Sequence, residues 1–470
     1  MTILISILVI AGFSVLLWKL PFFRNTGLKS RLVLCAFYVK LLVAAAFYVL
    51  YAHYPPYQNQ SDSQEFYSSA AQFAAIAHED FGDFLRASFR IPVKSPEIRE
   101  KLPKIEYWNR PYDNFMPNDT RQTLILYSFL YLLTFGSLPA MLIVANFLAF
   151  CGLFALFKAF LGARWLSRLL SGAEASKPPE GGAGWLREPQ PPVAAAIACF
   201  AIPSTLFWSS GLMKEVWLLL FMGFTLYSAV QFFITKKMRF AIFALLWGIA
   251  LLHIKIYIAL FLLPLLAIYA IRRTWQKPNA AVFYGCAFAV LMFLAYCAHW
   301  FVHFNIIEVL VQQRNTFIRM LEFHNHSAIV LQTFDESSNF VAQMFVGLGN
   351  VFLCPSVFNV QNVFVFFAGL ENTVIAALII CSIILHIKKR STSTDSTSSL
   401  TTTLSNQIPS DYTILAIVFV VAVFAIIGFT TPNMGALMRY KSVLLPFVVV
   451  LHKNILFYIH ISYYENYKTT

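Results

Sequence analysis

Runs of mostly apolar residues, each about as long as a bilayer is thick, recur along the whole chain and decide what it can fold into. They fall at 3–20, 32–53, 139–161, 192–208, 215–235, 240–254, 256–271, 279–299, 363–387, 412–430 and 436–452. A spanning helix needs about 20 such residues. Backbone N–H and C=O groups find no water in a bilayer core, so segments of this kind must be helical. The sequence therefore predicts an all-α polytopic transmembrane protein of about 11 spans, a single integral membrane domain over 1–470. Composition agrees, with 59% hydrophobic and only 12% charged residues. A soluble chain carries about 25% charged residues. Segment 3–18 has no basic stretch before it and no small-residue cleavage site after it, so it reads as a retained helix.

The formal charge of +13 would suggest nucleic acid in a soluble protein. Here the basic residues cluster in short loops: Lys19 to Arg31, Arg164 to Arg187, Lys236 to Arg239, Arg272 to Lys277 and Lys388 to Arg390. Cytoplasmic loops collect Lys and Arg, so the charge reports topology, and no nucleic-acid partner is expected. With these spans all five clusters fall on one side. The outer side then holds 54–121, 300–362 and a short turn at 431–441. The longer cytoplasmic linkers are 162–191, rich in Gly and Pro, and 391–411, rich in Ser and Thr. The run 122–135 is placed as a re-entrant or interfacial helix, because a span there would reverse the side of everything after it. The seven Cys, at 35, 151, 199, 286, 297, 354 and 381, form no CxxC pair. They read as small core residues, with no disulfide framework or metal site. The sequons at Asn59, Asn118 and Asn325 are short enough to arise by chance.

Unusual polar residues gather on the outer side. Ser61-Asp62-Ser63-Gln64-Glu65 opens the first outer loop, followed by an apolar stripe of Ala70, Ala71, Phe73, Ala74 and Ala77. That pattern predicts an amphipathic helix on the membrane surface. Asp62 or Ser61 serves as its N-cap, or Asp62 and Glu65 present carboxylates to a lipid-linked substrate. Lys214 and Glu215 stand at the mouth of a span, and Lys255 lies between two spans. Each charge there snorkels to the headgroups, pairs or works, and the two lysines are the candidates to bind phosphate. Arg439 follows Asn433 and Gly435 at the start of the last span, where an Arg fork suits a phosphate. Glu371 interrupts the run 363–387, and an intramembrane acid is functional by default. Pairing with Arg439 or Lys255 would offset its desolvation. Loop 300–362 adds Arg314, Arg319, Glu322, His324 and His326. The two His stand at i and i+2 and do not share a helix face, so they are not expected to form a metal site. An imidazole there could act as a base.

An acidic residue early in the first large outer loop, followed by a surface helix, resembles the GT-C superfamily of glycosyltransferases. The stretches Pro203 to Glu215 and Asn433-x-Gly435-x-x-x-Arg439-Tyr440 are similar to segments of bacterial envelope-polysaccharide membrane proteins. The resemblance implies a multi-spanning enzyme that moves a sugar from a polyprenyl-phosphate donor to a glycan or lipid acceptor. It would work at the periplasmic face of a bacterial inner membrane. Asp62 and Glu65 would then be catalytic, and Arg439, Lys255 and Lys214 would hold the donor phosphate. Asp62 would act as base or as ligand to Mg or Mn. Many members carry an acidic pair at that point, whereas here Asp62 is followed by Ser63. Two other readings stay open. One is an O-antigen-type polymerase or ligase centred on Arg314 and Arg319. The other is a lipid or solute transporter.

Overall fold

The computed structural model describes residues 2–24, 26–54, 61–109, 118–170, 193–274, 282–290, 293, 306–324, 339–358, 363–392 and 411–451. Among these the regular structure is all helical, with no strand. Five helices are long and apolar enough to cross a membrane: Ser30–His53, Leu138–Ala163, Lys214–Thr235, Val363–Ile384 and Thr413–Thr430. A sixth span results if Met434–Ser442 and Leu445–Leu451, bent by 58°, count as one.

Among the described residues, then, fewer helices reach spanning length than the sequence has apolar runs. Length of apolar run is not length of helix. The run 192–208 breaks into Val193–Phe200 and Pro203–Trp208. Ile3–Lys19, Met238–Ile254 and Ile256–Arg272 are apolar but shorter. Most of 279–299 lies outside the described residues, and 282–290 is helical. The chain divides into two compact units, each described by itself.

The first unit comprises Met1–Ala159, Pro178–Pro191 and Leu206–Leu260. Lys214–Thr235 and Met238–Ile254 form an antiparallel hairpin, with Phe221 and Phe224 against Trp247 at 5.8 and 5.2 Å. Lys236 closes it in the left-handed region (φ 58°), which side chains seldom adopt. Gly152 and Gly223 let the Leu138 and Lys214 helices touch backbone to backbone, since a Cβ on either would overlap the other chain. At one end of these helices Lys158 donates to the Phe22 carbonyl (3.0 Å) and lies over the Phe22 and Tyr227 rings. The basic Lys236, Lys237 and Arg239 share that end, because they close the hairpin there. Lys214 begins the same hairpin and so marks the opposite end.

A layer of shorter helices covers the Lys214 end: Asp62–Glu79, Phe81–Ser88, Pro96–Lys101 and Asp119–Leu133. The Asp62–Glu79 helix exists as predicted, but its apolar stripe faces protein. Ala70, Phe73 and Ala74 are wholly buried. Phe66 meets Tyr107 and Tyr127, and Phe73 meets Phe84 and Trp108. The run 122–135 is the 15-residue helix Asp119–Leu133. At a rise of 1.5 Å per residue it is about 22 Å long, short of a hydrocarbon core of about 30 Å. Both its ends are tied to the first-loop layer. Asn118 donates to the Trp108 carbonyl (3.2 Å), and Tyr67 donates to the Gly136 carbonyl (2.7 Å).

The second unit comprises Phe160–Lys177, Pro192–Thr205 and Phe261–Thr470. Its described core packs Phe340–Leu353 and Ile306–His324 on Asp411–Thr430, and Val193–Phe200 on Leu445–Leu451. Gly347 and Gly428 repeat the close backbone approach seen at Gly152 and Gly223.

Gly152→Ala or Gly223→Ala should each cost about 1–3 kcal/mol, the usual toll of overpacking. Thermal or denaturant unfolding in detergent micelles measures it. Gly12→Ala, built into open space, is the control that should leave the midpoint unchanged. Equal midpoints for all three variants would refute the close approach.

Candidate functional site

The site starts from a break in a helix. Pro203–Trp208 ends at Ser209, and the next helix begins only at Lys214. Carbonyls freed by such a break need donors, and an apolar surrounding supplies none. Lys40, wholly buried in the Ser30–His53 helix, provides them. Its ammonium donates to the Leu206 carbonyl (3.3 Å), the Ser209 carbonyl (3.1 Å) and the Ser209 hydroxyl (2.8 Å). Asn146 donates to the Ser210 carbonyl (2.9 Å), and Tyr127 to the Met213 carbonyl (2.7 Å). The Leu212 N–H donates to the Ser63 hydroxyl (2.9 Å), beside Asp62. Gly211 is the one residue that fits, since a Cβ would stand 2.6 Å from the Phe47 ring.

This turn delivers Lys214 to the first-loop layer. Lys214 reaches the Asp119 carboxylate at 2.8 Å and donates to the Thr120 hydroxyl at 2.7 Å. Lys255 approaches the same carboxylate at 3.7 Å. The two lysines are 6% and 7% exposed. A snorkelling head would be bare, so that alternative does not describe them. Glu215, next in the chain, is buried as well.

The first-loop carboxylates belong to the helix whose Ser63 holds this turn. Ser61 caps the Asp62–Glu79 helix, accepting from the Ser63 N–H (3.1 Å), so the capping role belongs to Ser61. Asp62 takes the first helical position, where a negative charge suits the helix dipole. One turn on, the Glu65 carboxylate accepts the Tyr107 hydroxyl. Tyr107 holds φ at 66°, a strained setting for an aromatic residue and one that tends to mark functional sites. Burial, then the charges of Asp62 and Glu106, push the Glu65 carboxyl up to about 7 from an ordinary 4.5. Among the described residues no three His, Cys, Asp or Glu side chains converge as a metal site. The described donors around Asp62 thus do not fit a site for Mg or Mn.

The remaining predicted residues belong to the second unit. Arg439 lies on Met434–Ser442, 9% exposed, with its guanidinium 5.9 Å from the Tyr440 ring. Asn433 caps that helix, accepting from the Ala436 N–H (3.1 Å). Glu371 was expected against Arg439 or Lys255. Its carboxylate instead accepts the Ser204 N–H (2.8 Å) and the Ser204 hydroxyl, within the field of Lys441. Arg314 is fully buried and donates to the Phe429 carbonyl (3.3 Å) and Gln343 (3.2 Å). Arg319, Glu322 and His324 lie on Ile306–His324, with side chains outside the description, and His326 lies outside the described residues. Lys441 repeats the device of Lys40. It donates to the Val351 (2.9 Å) and Cys354 (2.7 Å) carbonyls and to Asn372 (2.8 Å).

The structure thus brings Asp62, Glu65, Lys214 and Lys255 to one end of the first unit and adds Asp119, Glu106, Tyr107 and Lys40. Asp119 carried only a sequon in the sequence reading, and Glu106 and Tyr107 carried no signal. Lys40 was legible as the lone charge in the apolar run 32–53. No family model, curated protein or solved structure matches this chain.

The folded-state carboxyl of Glu65 binds its proton more tightly than the unfolded one, so its contribution is full below about 4.5 and lost as pH rises through about 7. Glu65→Gln lacks that loss. Relative to the parent, its unfolding midpoint should therefore climb between pH 4.5 and 7 and level off outside that window. A pH-independent difference would show that the carboxyl titrates normally.

Proposed function

We propose that this chain is a membrane glycosyltransferase. It takes a sugar from a polyprenyl-phosphate donor at the periplasmic face of a bacterial inner membrane, in envelope glycan assembly. One observation carries the reading. A carboxyl that titrates near neutrality sits one helical turn from Asp62, at the end of the unit that also buries Lys214 and Lys255. A general base works best with a pKa near the operating pH, and buried cations suit a phosphate leaving group.

In this mechanism Glu65, assisted by Asp62, takes the proton of the acceptor hydroxyl. The hydroxyl oxygen attacks the anomeric carbon, and the bond from that carbon to the phosphate oxygen breaks. The polyprenyl phosphate leaves with the bonding pair, and Lys214 and Lys255 offset its charge. Asp119 keeps both ammoniums in place. The arginine-centred polymerase reading has less support, because Arg314 is taken up by Phe429 and Gln343.

The test is sugar transfer by the full chain in proteoliposomes with polyprenyl-phosphate sugars as donors. Asp62→Asn and Glu65→Gln should each lower turnover by about 100-fold or more, with the folded protein retained. Full activity in both variants would refute the base assignment. Chain shortening in Arg314→Ala, with Asp62→Asn unaffected, would favour a polymerase. Movement of a lipid or solute without covalent change would favour a transporter.

A further inference from the structure

The first-loop layer leaves an apolar ridge uncovered on the side away from the Asp62 helix. Leu126, Phe129 and Leu133 share a face of Asp119–Leu133 at helical spacing with Gln122. Phe135, 84% exposed, continues that face into the turn before the Leu138 span. Phe84 packs on Phe129 (5.1 Å) and on the exposed Phe81 (6.0 Å), which joins Phe81–Ser88 to the ridge. At the far end the Arg90 guanidinium lies against the Gln122 carboxamide, at 3.2 and 2.9 Å. Phe89, 71% exposed, and Ile91 flank it.

These side chains are held out by design of the backbone. Asp83 is buried and accepts the Lys94 (2.9 Å) and Ser95 (2.8 Å) N–H groups, which fold 89–95 back on the helix. Those two N–H groups hold its carboxyl below the usual range. The Ile91 N–H donates to the Arg86 carbonyl (2.8 Å), closing the turn that displays Phe89 and Ile91. Exposed apolar surface fixed in this way needs a partner.

We infer that the ridge of Phe81, Phe89, Ile91, Phe129, Leu133 and Phe135 is a lipid-contact surface. It seats the first-loop layer on the acyl–headgroup boundary, with Arg86 and Arg90 meeting anionic headgroups. Two features select lipid over protein. The ridge runs without interruption into the mouth of the Leu138 span, which fixes its depth at the membrane surface. Its basic flank is complementary to phosphate headgroups, with Arg86 only loosely tied to Asp83 at 3.9 Å. An interfacial helix carries this combination of apolar and basic residues. The sequence assigned the role to the Asp62 helix, whose stripe is spent on protein. The anchor therefore acts one layer out, and it holds Asp62 and Glu65 near the level of lipid phosphates.

The test uses the full chain in nanodiscs of phosphatidylcholine and phosphatidylglycerol that contain a lipid with a diazirine next to its headgroup. Illumination and peptide mapping should find adducts on the peptides holding 81–91 and 129–135. In Arg86→Gln/Arg90→Gln, adducts to a phosphatidylglycerol probe should fall about fivefold or more, while those to phosphatidylcholine persist. Labelling confined to the spanning helices, with both loop peptides bare, would overturn the inference. So would crosslinks from the ridge to a second, isotopically marked copy of the chain.

Discussion

Everything at the candidate site depends on lysine ammoniums that close broken helices where no water is at hand. An ammonium has three donors, and Lys40 spends them on the Leu206 and Ser209 carbonyls and the Ser209 hydroxyl. A cation at a helix C-terminus also meets the negative end of the helix dipole. The burial cost of the charge and the cost of the open carbonyls thus offset each other. Removing either partner would leave the other exposed to the full penalty. Lys441 makes the same arrangement in the second unit, at the end of Phe340–Leu353. A chain that breaks helices inside an apolar region needs some such device, and among the described residues Lys40 and Lys441 both supply it.

The break gives the first unit its chemistry. An unbroken helix through 203–235 would carry its polar residues round all faces. The turn at Ser209–Met213 instead lets Lys214 start a new helix, pointed at Asp119, while Ser63 and Tyr127 hold the turn from the first-loop side. The layer and the spans are therefore fixed to each other by the Ser63 and Tyr127 side chains, each bound to a backbone group of the turn. Glu65 gains from this rigidity. Its perturbed carboxyl results from burial beside Asp62 and Glu106, a crowding that a mobile loop would relax.

Much of this was legible in the sequence, and the rest was hidden for definite reasons. Apolar runs report which residues avoid water, so the helical class and the longest spans followed directly. They do not report where a helix stops, because Ile202 and Pro203 are as apolar as a continuing span. That is why 192–208 reads as one span and folds as two helices. Asp62, Lys214 and Lys255 stood out because charge near an apolar run is costly. Asp119 did not, since it precedes a run of uncertain placement and resembles an ordinary helix start. Tyr107 could not be found at all. Its role rests on a left-handed backbone setting and on a contact across the loop, and neither leaves a periodic trace.

The amphipathic stripe of 70–77 shows how the same pattern serves two ends. Alternation at helical spacing says that one face leaves water, but not whether it meets lipid or protein. Here Asp119–Leu133 offers part of the complementary face, where Phe66 meets Tyr127, and Tyr107 and Trp108 add further ring contacts to Phe66 and Phe73. Once that face is occupied, the layer's remaining apolar surface lies on the outer side of Asp119–Leu133 and on Phe81–Ser88. The helix that binds the layer together and the helix that meets the lipid are thus different elements. The acids sit on the first of them, held by protein on one side and set by the second at the depth of the headgroups.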